Sequence, residues 1–525
     1  MPGADPRGEG APKSATMNRP KRGLASSINF PVFARAFMLV LLTSTAAGQV
    51  RGRGITPVFD LDGELLGTTA DLQSAFGGTY ASAHADPTIS VQFSPGPIRV
   101  HVTIPNTGTP WAEEFLALIP AGPMAPGSSP LLVLFHGAGQ RPTDPVPAIS
   151  VENAASVMIG DALSRGWHVL IPLGGHAYNF GHADAQTNTE ISLEVFMSMF
   201  GSSIDPARVY GYGHSMGGGW LIAQAGLRCG IDHLRFAALF ANGGTPSNSF
   251  TYGAALNHNA LDIIFGASPS TDPFAYSRSS AADISSTFPF STDPTNAPVT
   301  NLATTPIRSE TCWWDRLQYR TAAHSLHDFL DTKPAPNHFS VPDCALPFHN
   351  WSMPNNVAVL NWMSGQTLTD PDPQVLQSLL TDRNAQVHYF QLRQRVVSPP
   401  TPVPYGQPKH IPGQFSRLQY QLFSAIPNDK LILKNIQQLD RVSFSSSRIG
   451  ITVAPDFEIL VNTGGPIGPD LIVTDMTTPQ AVARRDSTGW VPVPFTNLPA
   501  GGILLEGANN PPPVGELIAR WRITP

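Results

Sequence analysis

Through the first two thirds of the chain, short apolar runs alternate with stretches whose apolar residues recur at helical spacing. Ile98 to Pro105 (IRVHVTIP) alternates apolar and polar residues, and Glu113 to Pro120 (EEFLALIP) follows it; both predict strands. LLVLFHG (131–137) is a continuous apolar run ending in glycine, and WHVLIP (167–172) resembles it. This is the pattern of strands buried on both faces. Between them, VENAASVMIGDALSRG carries apolar residues at helical spacing and stops at Gly166. TNTEISLEVFMSMF (187–200) predicts a second amphipathic helix. ARVYGYG predicts a strand and LIAQAGL, running to about Cys229, a helix. RFAALFAN, LDIIFG and TPIRSETC predict further strands, and NNVAVLNWM (355–363) predicts a helix. Strands alternating with helices indicate an α/β fold with a mainly parallel central sheet flanked by helices.

The rhythm changes at about residue 367. HYFQLRQRV, RLQYQLFSA, KLILKNI, RVSFSSS, IGITVAP, FEILVNT, DLIVTDM and LIARWRI are short strands separated by turn residues. Such spacing predicts a C-terminal antiparallel β-sandwich over 367–525, after an α/β domain over 49–366. Residues 267–305, rich in Ser, Thr, Pro and Asp, interrupt the α/β part. They predict an insertion over the strand ends, either a lid or a surface loop.

The first 48 residues read as an export signal. Lys21, Arg22 and Arg35 precede the apolar run AFMLVLL, and STAAG offers small residues for cleavage before Gln49. Met17 is an alternative start. The apolar run is too short to span a bilayer, so the expected location is secreted or periplasmic, without stable membrane insertion. A net charge of −6, with only 13% charged residues, gives no basic footprint for a nucleic acid.

The chemistry concentrates where a strand turns into a helix. GHSMG (213–217) fits G-x-S-x-G. Small neighbours let a serine sit on a sharp, strained turn, with its hydroxyl at a helix N-terminus. Ser215 is therefore the candidate nucleophile. HGAG (136–139) follows a buried strand, and its backbone N–H groups suit a developing oxyanion. Met216 N–H would supply one donor, and Gly137 or Ala138 N–H the other. His349, in a loop before the last α/β helix, is the candidate base, with His338 its competitor. Asp315, following TPIRSETCWW, suits the order Ser–Asp–His. Glu310, Asp328, Asp331 and Asp343 are rivals for that role, with Asp328 and Asp331 expected to be solvated.

Together, HGAG, GHSMG, the segment Asp315 to Tyr319 and HNW before a helix resemble the α/β-hydrolase fold. Within it they are similar to secreted esterases related to polyhydroxyalkanoate depolymerases and to prolyl-oligopeptidase-like hydrolases. The resemblance covers roughly residues 100–365. It implies Ser215 as nucleophile, His349 as general base and Asp315 as its partner, acting on a small-molecule ester or polyester without a cofactor. The segment after Asp315 lacks the proline common in such enzymes. In this frame a Cys312–Cys344 disulfide would tie the acid loop to the base loop, leaving Cys229 unpaired. Tyr178, Trp313, Trp314 and Trp351 lie near the proposed site residues and are candidate substrate contacts. His176, His182 and Asp184 share one loop and are expected to be polar surface residues, with no metal site. A serine peptidase and a non-catalytic binding protein are the alternatives.

Overall fold

The two all-apolar runs pair at the centre of a nine-stranded sheet in the computed structural model. The structure describes residues 56–57 and 98–524, apart from 283–296, 312–316, 332–337, 341–348, 395–414, 508–517 and shorter stretches. The sheet strands are β1 (Thr56–Pro57), β2 (Ile98–Ile104), β3 (Glu113–Ile119), β4 (Ser129–Phe135), β5 (His168–Pro172), β6 (Ile204–His214), β7 (Ala238–Asn242), β8 (Ile307–Glu310) and β9 (His338–Ser340). Their spatial order is β1-β2-β3-β5-β4-β6-β7-β8-β9. The pairs β1–β2, β2–β3 and β3–β5 are antiparallel. From β5 onward every pair is parallel.

Each face of this sheet has its own core, which explains the unbroken apolar runs. Leu131, Val133 and Phe135 of β4 enter one core, and Leu132 and Leu134 enter the other. The second core takes helices α1 (Val151–Ala154), α2 (Ser156–Ser164) and α9 (Asn356–Ser364). The first takes α3 (Ala183–Phe200), α4 (Met216–Leu227) and α8 (Leu317–Leu330).

LDIIF, expected as a strand, lies in a helix. Three short helices occupy this region: α5 (Asn248–Tyr252), α6 (His258–Phe265) and α7 (Pro273–Arg278). In α6, Leu261, Ile264 and Phe265 are buried at i, i+3 and i+4. A short apolar run fits either period, and here the helical one packs better. Parts of the 267–305 insertion are also built into the core. Asp272 caps α7 by accepting a hydrogen bond from Ala275 N at 3.1 Å, and Ala281, Ala297, Val299 and Leu302 are buried.

The C-terminal strands are β10 (Gln377–Thr381), β11 (Ala385–Val387), β12 (Phe390–Gln394), β13 (Ser416–Phe423), β14 (Asp429–Gln437), β15 (Leu439–Ser445), β16 (Phe457–Asn462), β17 (Asp470–Thr474), β18 (Ala481–Asp486), β19 (Gly489–Pro492), β20 (Thr496–Asn497), β21 (Gly502–Leu505) and β22 (Ile518–Thr524). They form two sheets, β10-β13-β14-β16-β22-β18-β19 and β11-β12-β15-β17-β21-β20. Leu418, Leu433 and Trp521 of the first meet Phe390, Val442 and Leu471 of the second in one core. These sheets were expected to be antiparallel throughout, but each holds one parallel pair, β14–β16 and β15–β17. From β14 to β17 the chain changes sheet at every step. β16 therefore returns beside β14 through a strand of the other sheet, and such a crossover leaves the pair parallel. By contacts the chain divides into Met1–Val50 and Arg51–Pro525. The first unit lies outside the described residues, and all of these sheets belong to the second.

Polar groups hold the C-terminal sheets to the α/β part. Asn301 donates through Nδ2 to the carbonyls of Gly226 (2.7 Å) and Leu380 (2.8 Å), and its Oδ1 accepts from Leu380 N at 2.8 Å. His388 Nε2 is paired with the Asn301 carbonyl at 2.8 Å. Arg278 and Asp382 form a buried ion pair. The Cys229 thiol packs in the C-terminal core, where burial pushes its pKa up to about 12. Replacing Asn301 with Ala strands the buried Leu380 N–H and two carbonyls. The expected cost is about 3 kcal/mol, read as a lower thermal midpoint in calorimetry. An unchanged midpoint would show that the seam does not depend on this side chain.

Candidate active site

Ser215 sits at the elbow between β6 and α4 with φ 52° and ψ −120°. A non-glycine residue adopts this backbone only where its surroundings enforce it. Here they do. A Cβ at Gly213 would collide with the Gly217 backbone, and one at Gly217 with the carbonyls of Phe135 and His136. Both motif glycines are thus required by backbone approach. Ser215 N–H donates to the Asn242 carbonyl at the end of β7 (2.8 Å), and its side chain makes no capping bond to α4. The hydroxyl is therefore not engaged as a helix cap, and the first N–H groups of α4 lie beside it.

The loop after β4 packs against this elbow. A Cβ on Gly137 would stand 3.6 Å from Ser215 Cβ. Gly137 N–H donates to Gln140 Oε1 at 2.9 Å. Of the two donors expected from this loop, Gly137 is thus already engaged, which leaves Ala138, an exposed residue. Tyr178 closes over the same loop. Its hydroxyl lies against Gly139, where a φ of +81° and this contact leave no room for a side chain. Tyr178 remains half-buried.

His349 is exposed at the start of its loop, and its ring centroid lies 5.0 Å from that of His214, the residue before Ser215. His214 is buried. Burial first, and the neighbouring His349 second, push its pKa well below the ordinary histidine value, so His214 is neutral at pH 7. The loop is held from two sides. Asn242 Nδ2 donates to the Asn350 carbonyl at 3.0 Å. Trp351 Nε1 donates at 3.0 Å to Gln140 Oε1, the oxygen that also accepts from Gly137. Trp351 was expected to face a substrate; instead it is only 3% exposed and stacks on Tyr212 at 5.5 Å. It anchors the loop.

Asp315, Cys312, Cys344, Trp313, Trp314 and Asp343 lie outside the described residues. His338 opens β9, at the sheet edge. Glu310 is buried at the end of β8 and is ion-paired with Arg308 at 2.6 Å. Asp328 and Asp331 are exposed. The loop histidines depart from the expected surface setting. His182 is 2% exposed, accepts a hydrogen bond from Asp184 N to cap α3, and lies against Trp111 at 5.6 Å. His176 is half-buried, with its pKa lowered to about 4 mainly by burial. Among the described residues no group of three His, Cys, Asp or Glu is placed to hold a metal, and no helix is long and apolar enough to cross a membrane.

Sequence reasoning passed over Gln140, Asn242 and Glu113. Each has a readable signal: an amide three residues past HG, a polar residue closing an apolar strand, and a carboxyl opening one. Glu113 is fully buried behind the Tyr178 loop. Its Oε1 accepts from Leu173 N (3.1 Å), Gly174 N (3.1 Å) and Ser192 Oγ (2.8 Å). Its Oε2 has no partner among the described residues. Burial outweighs these bonds and raises the pKa to about 8.

No family model matches the chain, and no curated protein matches it. Among solved structures it is similar to an acetyl xylan esterase from Paenibacillus sp. R4, at 14% identity over 53% of this chain and 88% of that one, with a TM-score of 0.36. It is also similar to an S-formylglutathione hydrolase from Agrobacterium tumefaciens, at 14% identity over 53% of this chain and 98% of that one (TM-score 0.37). A third is an acylaminoacyl peptidase from Pyrococcus horikoshii, at 10% identity over 54% and 52% of the two chains (TM-score 0.34). Such esterases and peptidases are of the α/β-hydrolase kind that the motifs resemble. At these scores the likeness carries no weight for the chemistry, which rests on the residues.

The Glu113 geometry has a pH signature. The folded carboxyl is protonated below about pH 8, whereas an unfolded glutamate ionises near its ordinary value of about 4.3. This contribution is complete at low pH and is lost as pH rises between those two values, by an amount on the order of a few kcal/mol. Glu113→Gln should flatten the fall in thermal midpoint between pH 5 and 8, as measured by scanning calorimetry. Parallel pH curves for the two proteins would overturn this account.

Proposed function

We propose that the protein is an exported serine hydrolase of carboxylic esters, small or polymeric. The observation that carries this reading is the elbow: Ser215 held at positive φ by glycines that admit no Cβ, against the Gly137 loop, with the His349 ring close to its neighbour. In this reading His349 removes the Ser215 proton as Oγ attacks the ester carbonyl. Ala138 N–H and Met216 N–H hold the oxyanion. His349 then protonates the departing alcohol, and water, activated the same way, releases the acid from the acyl-enzyme. Asp315 is the proposed partner that orients His349. Half-buried Tyr178, over the oxyanion loop, is the proposed acyl contact. The C-terminal sheets form the proposed β-sandwich, and residues 1–48 the export signal.

The test is hydrolysis of a chain-length series of p-nitrophenyl esters by the protein from Gln49 onward. Ser215→Ala should reduce kcat/KM by about five orders of magnitude and abolish the pre-steady-state burst. Failure of the parent protein on every ester would overturn the reading. Cleavage of peptides alone would move the site to amide chemistry.

Gln140 should matter beyond stability. Its Oε1 joins the oxyanion loop to the base loop, so Gln140→Leu displaces both. The expected result is a kcat lower by about tenfold to a hundredfold, with KM little changed, in steady-state kinetics on the preferred ester. A lower thermal midpoint with unchanged kcat would reduce Gln140 to a packing residue.

A further inference from the structure

A cleft of about 290 Å³ opens at the seam between the C-terminal sheets and the α/β part. One wall is the outer face of β10, β13 and β14, and the opposite wall includes Phe329 of α8. No residue around Ser215 lines it. Its volume falls near the lower end of small-molecule sites, roughly 300 Å³ upward.

The sheet wall is built by a bulge. Gln419 of β13 pairs with Lys434 of β14, and Arg417 pairs with Gln437, so Asn435 and Ile436 together oppose Leu418. Asn435 takes the left-handed backbone, with φ 52°. Strict alternation from Lys434 would turn Asn435 into the core and Ile436 outward. The bulge reverses this: Ile436 is buried, and Asn435 and Gln437 are exposed on the cleft side. Bulges of this kind re-aim side chains, and asparagine is the non-glycine residue that best tolerates the left-handed backbone such a bulge requires.

The re-aimed amide completes a ladder across three strands. Asn435 Nδ2 donates to Gln419 Oε1 at 2.5 Å, and Gln419 Nε2 donates to Ser378 Oγ at 2.9 Å. In this arrangement each amide nitrogen is the donor. With its Nδ2 donating, Asn435 keeps Oδ1 as an acceptor, beside the Gln437 amide. The described lining thus holds amide donors and acceptors, one aromatic ring and no carboxylate. Among the described lining residues a cation finds no counter-charge. A ring carrying vicinal hydroxyls on its edge and C–H groups on its face matches both walls.

We propose that this cleft binds a neutral saccharide of one or two sugar units. The proposal does not depend on the ester-hydrolase reading, because none of its residues takes part in that chemistry.

The test is titration calorimetry of the full-length chain with cellotetraose, xylotetraose and maltotetraose. At least one should bind with a dissociation constant below about a millimolar. Asn435→Gly keeps the left-handed backbone and removes only the amide. Gln437→Ala alters an exposed side chain. Each should weaken binding about tenfold or more without moving the thermal midpoint, and Ser215→Ala should bind like the parent. Absence of binding to all three sugars at ~10 mM, or binding that both cleft variants leave unchanged, would overturn the proposal.

Discussion

The close approach of α4 to the end of β4 is the constraint on which the site depends. Gly217 meets the carbonyls of Phe135 and His136, and Gly218 meets Gly244. A helix can come this near two strand ends only where the residues facing them, here Gly217 and Gly218, carry no side chains. Once it does, the turn before it is compressed, and Ser215 is forced to positive φ. The same approach brings the loop after β4 beside Ser215, because that loop starts at the residue Gly217 touches. The proposed nucleophile and the proposed oxyanion loop are therefore set by one steric fit. The strain is offset by burial. All of α4 is buried, and Trp220 packs edge-on against Phe135 at 4.7 Å and His136 at 5.4 Å.

The His349 loop reaches this centre through polar bonds. β4, β6 and β7 are parallel neighbours, so their C-terminal ends lie along one edge of the sheet, where loops converge. Asn242, closing β7, accepts from Ser215 with its backbone and donates to Asn350 with its side chain. Gln140 collects Gly137 and Trp351 on one oxygen. In a buried setting such bonds fix geometry, because a broken one leaves a polar atom without water. They also explain why Trp351 is buried: its indole N–H is a structural donor.

How much of this was legible differs from residue to residue. β4 and β5 were readable because burial on both faces leaves an unbroken apolar run. The elbow was readable because glycine at 213 and 217 is a steric demand written at fixed spacing around Ser215. LDIIF was not, since four apolar residues around one aspartate fit a strand or a helix until their neighbours are known. The burial of Trp351 was not readable, because adjacency in the chain to His349 does not say which way a ring points. Gln140 and Asn242 were passed over because an amide's role lies in what it touches, and their partners are up to 211 residues away in the chain. The parallel pairs of the C-terminal sheets depend on the order in which strands change sheet, which no local pattern records.

The seam follows the same logic with different consequences. Asn301 satisfies three backbone groups drawn from α4 and β10, and Arg278 with Asp382 is buried on both sides. A buried ion pair contributes little net stability compared with an apolar pair of the same size, but it penalises every arrangement that separates its partners. A flexibly tethered module has no use for such a device. An interface that must keep one geometry does, and the cleft beside this one has walls from both sides. Phe329 and the amide ladder line one cleft only while the seam holds. The polar composition of the seam and the composite lining of the cleft are therefore two results of one requirement, that the C-terminal sheets stay in register with the α/β part.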